Sequence, residues 1–188
     1  MEISIEYILT NSYKPDLVAY VNQHEDAFVK ILKLALLDKQ PYSQKAAWLL
    51  WSCMKENDAR VKKFCDKIIN ELPHKCASQQ RELFIVLGKM DLDPKGLSQL
   101  IDTCIDSWQK VEKQPSVRYA AFRLLIKIAF NYPDLLNEIK LLTSDNYFQG
   151  LSPTVKKSVM RLVQQLQDHL CQISKSQITV NGTYSANQ

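Results

Sequence analysis

Glycine is scarce in this chain, with four residues among 188, and the seven prolines mostly lie between apolar segments. A sandwich or barrel of short strands needs many glycine-containing turns, so this scarcity argues against such folds. Hydrophobic residues make up 46% of the chain, which is enough for a substantial core. We therefore expect an all-α protein.

The chain also lacks the motifs of a metal site or a catalytic centre. Its five cysteines are an odd number, and no two of them have Cys-x-x-Cys spacing. The three histidines fall in separate segments, and neither a Gly-x-Ser-x-Gly elbow nor a glycine-rich phosphate loop occurs. These absences predict a protein without disulfides, metal or cofactor, and one that is not an enzyme.

Neither a strong charge bias nor a long apolar run is present. The 24 basic and 20 acidic residues give a net charge of +4, which is mild for a dedicated DNA-binding domain. The longest apolar runs, such as 46–51, are too short to span a bilayer, and the N-terminal segment MEISIEYIL lacks the basic region of a secretory signal. We therefore expect a soluble, cytoplasmic protein without membrane contact.

Apolar helical patterns recur along the chain at a regular interval. They begin near Ser43, Ser78, Ser116 and Ser152, which are 35, 38 and 36 residues apart. A helix pair every 35 to 38 residues is the period of an α-solenoid, in which each pair buries its apolar face against its neighbours. The pattern over 116–131 is apolar on almost every side and predicts the most buried helix.

This periodicity predicts a single helical domain over residues 1–175. We expect an N-terminal cap at 1–25, helix pairs at about 26–56, 58–90, 94–131 and 133–173, and a polar C-terminal tail at 176–188. The tail has no charged residue and is rich in Ser, Thr, Asn and Gln, which predicts a flexible or loosely docked segment.

A basic residue recurs near the start of each repeated helix. These residues form a basic ladder, spaced 36, 37 and 38 apart, of Lys45, Arg81, Arg118 and Lys156. Val117 and Arg118 are followed by Ala121, and the corresponding Val155 and Lys156 are followed by Val159. In these residues the chain resembles the HEAT-like repeat family, a group that includes small bacterial-type α-solenoids.

The resemblance covers roughly residues 26–170 and implies an α-α superhelix of the ARM/HEAT type. It implies about four antiparallel helix pairs, whose second helices line a concave surface. The first two repeats have Gln44 and Gln80 where the family pattern has valine, so the register there differs. Members of the family are mostly binding scaffolds with unrelated partners, and the serine-rich signature loop of a lyase, an activity with which some small relatives are labelled, is absent.

Two sets of basic residues are candidate sites. The basic ladder lies off the solvent-facing stripes of its helices, so we interpret it as structural, bound to carbonyls and acidic residues of adjacent turns. The basic stripe, defined as the set on the solvent-facing side of the last two buried helices, consists of Arg123, Lys127, Lys157 and Arg161. Its members are like charges at i and i+4, which mildly opposes helix stability and suggests a ligand of opposite charge.

The resemblance and the basic stripe together predict a non-enzymatic interaction module, or scaffold, that binds another protein or an acidic peptide on its concave surface. The alternative is a HEAT-like protein that binds nucleic acid or repairs alkylated bases with a basic concave face. That alternative needs an acidic residue beside aromatic rings on the basic face, and the sequence defines no such cluster. We expect Trp48, Trp51 and Trp108 to be core residues.

Overall fold

The computed structural model describes residues 4–184, and the side chains of residues 4–173. This part of the chain contains helices and no strand. The α-helices are α1 (Ile5–Asn11), α2 (Lys14–Gln23), α3 (Glu25–Ala35), α4 (Tyr42–Cys53), α5 (Ala59–Lys62), α6 (Cys65–Glu71), α7 (Ala77–Gly88), α8 (Leu97–Gln109), α9 (Pro115–Ala129), α10 (Leu136–Leu141) and α11 (Pro153–Tyr184). Short 3-10 turns lie at Leu72–His74, Pro133–Leu135 and Asp145–Phe148.

The helices form antiparallel pairs that stack into a solenoid. Helix α3 packs on α4, α6 on α7, α8 on α9, and α10 on α11. The second helix of each pair also packs on the second helix of the next, so that α4, α7, α9 and α11 form a continuous inner layer. Helices α1 and α2 cover α3 and α4 at the N-terminal end. The predicted all-α superhelix of four pairs with a cap is confirmed.

Helix α9 is the centre of the core because it contacts α7, α8 and α11. Nine of its fifteen residues are buried, among them the small residue Ala121 and the large Phe122. Phe122 packs against the fully buried ring of Trp108, with ring centroids 4.5 Å apart. The helix begins at Pro115. Proline lacks a backbone N–H, which costs nothing here because N–H groups of the first turn have no acceptor within the helix. Its largely apolar circumference thus lets α9 pack against its two neighbours in the inner layer and against the outer helix α8.

Buried glutamines at the start of α7 close the ends of earlier helices. The last carbonyl groups of any helix have no partner within it and need a donor from elsewhere. Gln79 Nε2 donates to the carbonyls of Ala35 and Leu37 at 2.7 and 3.0 Å, beyond the end of α3. Gln80 Nε2 donates to the Leu72 carbonyl at 3.0 Å, after α6. These bonds fix the register between the pairs.

The predicted and observed elements differ in two places. The outer helix of the second expected pair, 58–90, is divided into α5 and α6, because the chain turns at Lys63 and Phe64. Helix α11 continues to Tyr184, so it includes residues 176–184 of the predicted polar tail, in which no proline interrupts the helix. Residues 185–188 of that tail lie outside the described residues.

No helix in the described part of the chain is both long enough and apolar enough to cross a membrane.

Candidate functional site on the concave face

The exposed side of the inner layer is the concave face, and a groove runs along it. The groove has a volume of about 610 Å³ and is bounded by α4, α7 and α9. Its lining consists of Trp51, Glu56, Arg81, Phe84, Ile85, Gly88, Lys89, Ser116, Tyr119, Ala120, Arg123, Leu124 and Lys127. Four basic residues and three aromatic rings therefore meet one carboxylate, that of Glu56, on a surface that is otherwise apolar apart from Ser116.

A second hollow, the cap cavity, lies where the N-terminal helices meet the inner layer. It has a volume of about 470 Å³. Its lining consists of Leu9, Thr10, Ser12, Lys14, Leu17, Gln44, Lys45, Trp48, Arg81 and Glu82. Arg81 lines both the groove and the cap cavity, so the two hollows adjoin at this side chain.

A buried carboxylate holds the junction between the groove and the cap cavity. Glu82 is 1% exposed, and its Oε2 accepts a hydrogen bond of 2.6 Å from Trp51 Nε1. Its Oε1 pairs with Arg81 Nη1 at 3.1 Å. The two partners satisfy both oxygens of a charge that is costly to bury alone. Trp51 and Arg81 are thereby fixed in their positions on the concave face.

Cations lie against the aromatic rings of this face. The Lys14 ammonium is 4.9 Å from the ring centroid of Trp48 and 5.4 Å from that of Trp51. The Arg123 guanidinium is 6.0 Å from the Tyr119 ring. At these distances a ring face attracts a cation without neutralising its charge. The basic groups thus keep hydrogen-bond donors for a ligand.

The structure divides the basic ladder into different environments. Arg118 is fully buried, whereas Lys45 and Arg81 are half-buried and line the cavities of the concave face. Lys156 is half-buried on α11. Arg81 pairs with the carboxylate of Glu82, and the structural interpretation of Lys45 stays a prediction. The environments differ because Gln80 of α7, rather than Arg81, occupies the buried position that Arg118 occupies in α9.

Arg118 binds main-chain carbonyls on both sides of α9. Its Nε donates to the Trp108 carbonyl at 3.0 Å, at the end of α8, and its Nη1 donates to the Gln149 carbonyl at 2.8 Å. Its Nη2 donates to the Tyr147 carbonyl. Burial lowers the pKa of the Arg118 guanidinium, and attraction to Glu112 opposes this shift. An arginine keeps its charge under such shifts, so these are charge-assisted bonds.

The basic stripe also divides. Arg123, Lys157 and Arg161 are exposed, whereas Lys127 is half-buried and its Nζ donates to the carbonyls of Gly88 and Met90, both at 2.9 Å. Lys127 therefore caps the C-terminal end of α7, where a positive charge also favours the helix dipole. The sequence placed Lys127 on the solvent-facing side without indicating this contact, because periodicity places a residue on a face but does not identify the helix end opposite it.

The same capping arrangement recurs one repeat earlier. Lys89 lies 38 residues before Lys127, and its Nζ donates to the carbonyls of Trp51 and Met54 at 3.3 and 3.0 Å, after α4. A lysine at the end of each of two inner helices thus closes the end of the preceding inner helix. The recurrence indicates that both lysines have a structural role.

Replacing Lys127 with Met should lower the free energy of unfolding by about 1–2 kcal/mol, because two carbonyls lose a charged donor. The matched control is Arg123→Met on the same helix, which should change the free energy by less than about 0.5 kcal/mol, since Arg123 is exposed and makes no hydrogen bond within the described residues. Urea unfolding followed by circular dichroism measures both. Equal midpoints for the two variants would show that the contacts of Lys127 do not stabilise the fold.

The buried cysteines do not supply a reactive site. All five are free, and burial raises the pKa of the Cys53 and Cys65 thiols to about 11. Such thiols stay protonated near neutral pH and are poor nucleophiles and poor metal ligands. In the part of the chain that the structure describes, no three His, Cys, Asp or Glu side chains come together as a group that could hold a metal ion.

Two tryptophans lie in environments that the sequence did not predict, and their contacts with two charged residues, Glu82 and Lys14, were not predicted either. Trp48 and Trp51 are half-buried on the concave face, whereas Trp108 is in the core as expected. Trp48 and Trp51, together with Glu82, with which Arg81 pairs, form the acid-aromatic cluster that the sequence did not define. A signal was present in the spacing, because residues 45, 48 and 51 lie on one side of a helix. Lys14 lies in a different helix, α2, so the spacing within α4 could not indicate its contact with the two tryptophan rings.

Comparisons with known proteins identify the family. A model described as HEAT repeat domain matches residues 8–166, which span the cap and all four helix pairs. No curated protein and no solved structure matches the chain. The helix pairs, the inner layer and this match together show that the chain belongs to the HEAT repeat domain family.

Proposed function

We propose that this protein is a non-catalytic interaction module that binds an acidic segment of a partner protein along its concave face. HEAT repeats generally mediate protein interactions, and the groove gives this role a specific chemistry. The carrying observation is the imbalance of charge in the groove, where Glu56 is the one carboxylate among four basic residues and three aromatic rings. An acidic chain with apolar side chains complements such a surface.

The basic residues of the groove have different parts in this proposal. Lys89 and Lys127 are bound to carbonyls, and Arg81 is paired with Glu82 through one nitrogen. Arg123 makes no hydrogen bond or ion pair within the described residues, so its donors are open to a ligand. The floor beside it, formed by Ile85 and Ala120, is apolar and half-buried. Lys157 and Arg161, exposed on α11, extend the positive charge beyond the groove.

The test is binding of a fluorescein-labelled peptide of Asp, Glu and Leu, measured by anisotropy at two salt concentrations. Replacing Arg123, Lys157 and Arg161 together with Gln should weaken binding about tenfold or more and reduce its dependence on salt. A matched control replaces three basic residues on the outer helices, Lys62, Lys67 and Lys140, all exposed, and should leave affinity within about twofold. Equal affinities of the two triple variants would overturn the proposed surface.

A second candidate is binding of single-stranded nucleic acid. The observation that favours it is the set of aromatic rings, Trp48, Trp51 and Tyr119, interleaved with cations on one face, since bases stack on such rings while the cations contact phosphates. Repair of an alkylated base would also need a free acidic group, and both oxygens of Glu82 are already bound. Oligothymidine in the same assay separates the candidates. Tighter binding of oligothymidine than of the acidic peptide would favour this second function.

A further inference from the structure

We infer that the cap cavity receives a phosphate monoester carried on a side chain of the acidic segment, that is, a phosphoserine or phosphothreonine of the partner. This inference rests on the proposed function, because the cap cavity adjoins the groove at Arg81. It assigns phosphate binding to the basic residues of the cap cavity, of which Arg81 also lines the groove. A segment lying in the groove would place one side chain in the cap cavity.

Three basic side chains from three separate helices line the cap cavity. Lys14 is the first residue of α2, Lys45 lies in the first turn of α4, and Arg81 lies in α7. The one carboxylate in the lining, Glu82, is buried and offers both oxygens to protein donors. The cavity therefore holds a surplus of about two positive charges. A carboxylate ligand would neutralise one of them, whereas a phosphate monoester carries about −1.5 to −2 at pH 7.

Arg81 is prepared to bind a tetrahedral anion. The bond between its Nη1 and Glu82 fixes the guanidinium, and its side chain is 43% exposed. An arginine fork has five N–H donors, so donors remain for a ligand after one pairs with a carboxylate. Planar paired N–H groups match the spacing of phosphate oxygens. Phosphorylated segments are recognised in this way by clusters of arginine and lysine.

Both lysines keep their ammonium groups open. Within the described residues, the Lys14 ammonium is held by the ring faces of Trp48 and Trp51 and by no carboxylate, and the Lys45 ammonium has neither a hydrogen bond nor an ion pair. Like charges converging in one hollow repel one another, and an anion would remove this repulsion. The Ser12 hydroxyl and the Gln44 amide, also in the lining, supply neutral donors.

The apolar part of the cap cavity suits the carbon atoms of such a side chain. Leu9 and Leu17 are buried at its wall, and the half-buried Trp48 ring forms another side. A phosphorylated side chain has one or two apolar carbons next to its charge. The combination of apolar wall and three cations therefore fits a phosphate ester better than a hydrated free anion.

The experiment compares two labelled peptides of Asp, Glu and Leu that differ only in a central serine or phosphoserine. The phosphopeptide should bind at least about tenfold more tightly, because it adds charge-assisted contacts. The double variant Lys14→Gln, Lys45→Gln should lose this gain, so that it binds the two peptides with affinities equal within about twofold. The matched control Lys62→Gln, Lys67→Gln, on outer helices, should keep the gain.

The outcomes separate the two proposals. If the serine peptide binds and phosphorylation adds nothing, the inference fails and the proposed function stands. If neither peptide binds, both fail. Titration with inorganic phosphate and with free phosphoserine distinguishes the source, since either one binding as tightly as the phosphopeptide would make the cavity a small-ion site and overturn the inference. Thermal melts of the double variant, expected to match the control, show that it remains folded.

Discussion

Replacing Arg118 with Met should lower the free energy of unfolding by about 3 kcal/mol, although the apolar volume of the side chain is nearly kept. Three main-chain carbonyls, those of Trp108, Tyr147 and Gln149, lose their donor at once. The cation also lies 5.1 Å from the Trp108 ring and contributes an attraction that Met cannot replace. Urea unfolding monitored at two wavelengths measures the change.

The control for Arg118 is a conservative exchange at the same position. Arg118→Lys keeps the charge but has a single nitrogen, which cannot reach carbonyls on α8 and on the segment before α11 together. It should recover less than half of the lost stability. If Arg118→Met unfolds at the same urea concentration as the unchanged protein, the guanidinium does not join the third pair of helices to the fourth.

The positions of the helices followed from the sequence because they depend on a strong periodic signal. The spacing of the apolar patterns predicted four pairs, and the apolar circumference of 116–131 predicted that α9 would be central. The split of the outer helix into α5 and α6 was not predictable from apolar periodicity, since the apolar positions continue across the turn. Periodicity reports the face of a helix but not a local change in its direction.

The concave face was harder to predict, because several of its residues lie in environments that are unusual for their residue type. A tryptophan in an apolar helix is most often a core residue, and yet Trp48 and Trp51 are half-buried on the concave face, where Trp51 binds the buried Glu82. An apparently solvated Lys127 closes a neighbouring helix. Each of these contacts joins residues more than thirty positions apart, and a single helix pattern contains no information about them.

These contacts show that the basic residues of the inner layer differ in their roles. Lysines at the helix ends, Lys89 and Lys127, bind carbonyls and hold the layer together, whereas Arg123 in the middle of α9 has its donors free. Stability and binding are thus assigned to different basic residues of one face. Variants of the two kinds should therefore separate in their effects, with loss of stability for the first and loss of affinity for the second.

Replacing Ala121 with Arg should have the largest effect of any single change that we propose, a loss of about 4 kcal/mol or more. Ala121 is fully buried in α9, which is packed between α7 and α8. A guanidinium at this position would need space that the packed helices do not have, and α9 itself contains no carboxylate to pair with it. Thermal unfolding followed by circular dichroism should show a markedly lower midpoint.

The neighbouring residue supplies the matched control for Ala121. Ala120 is half-buried and lines the groove, so Ala120→Arg extends into open space and should cost less than about 1 kcal/mol. The same substitution at two adjacent alanines thus tests which side of α9 is buried, because successive residues lie about 100° apart around a helix. If Ala120→Arg proved the more destabilising of the two, the concave face would lie on the other side of the helix. Ala120→Arg should also alter peptide binding while the fold persists, because its new side chain would occupy the apolar floor of the groove beside Arg123.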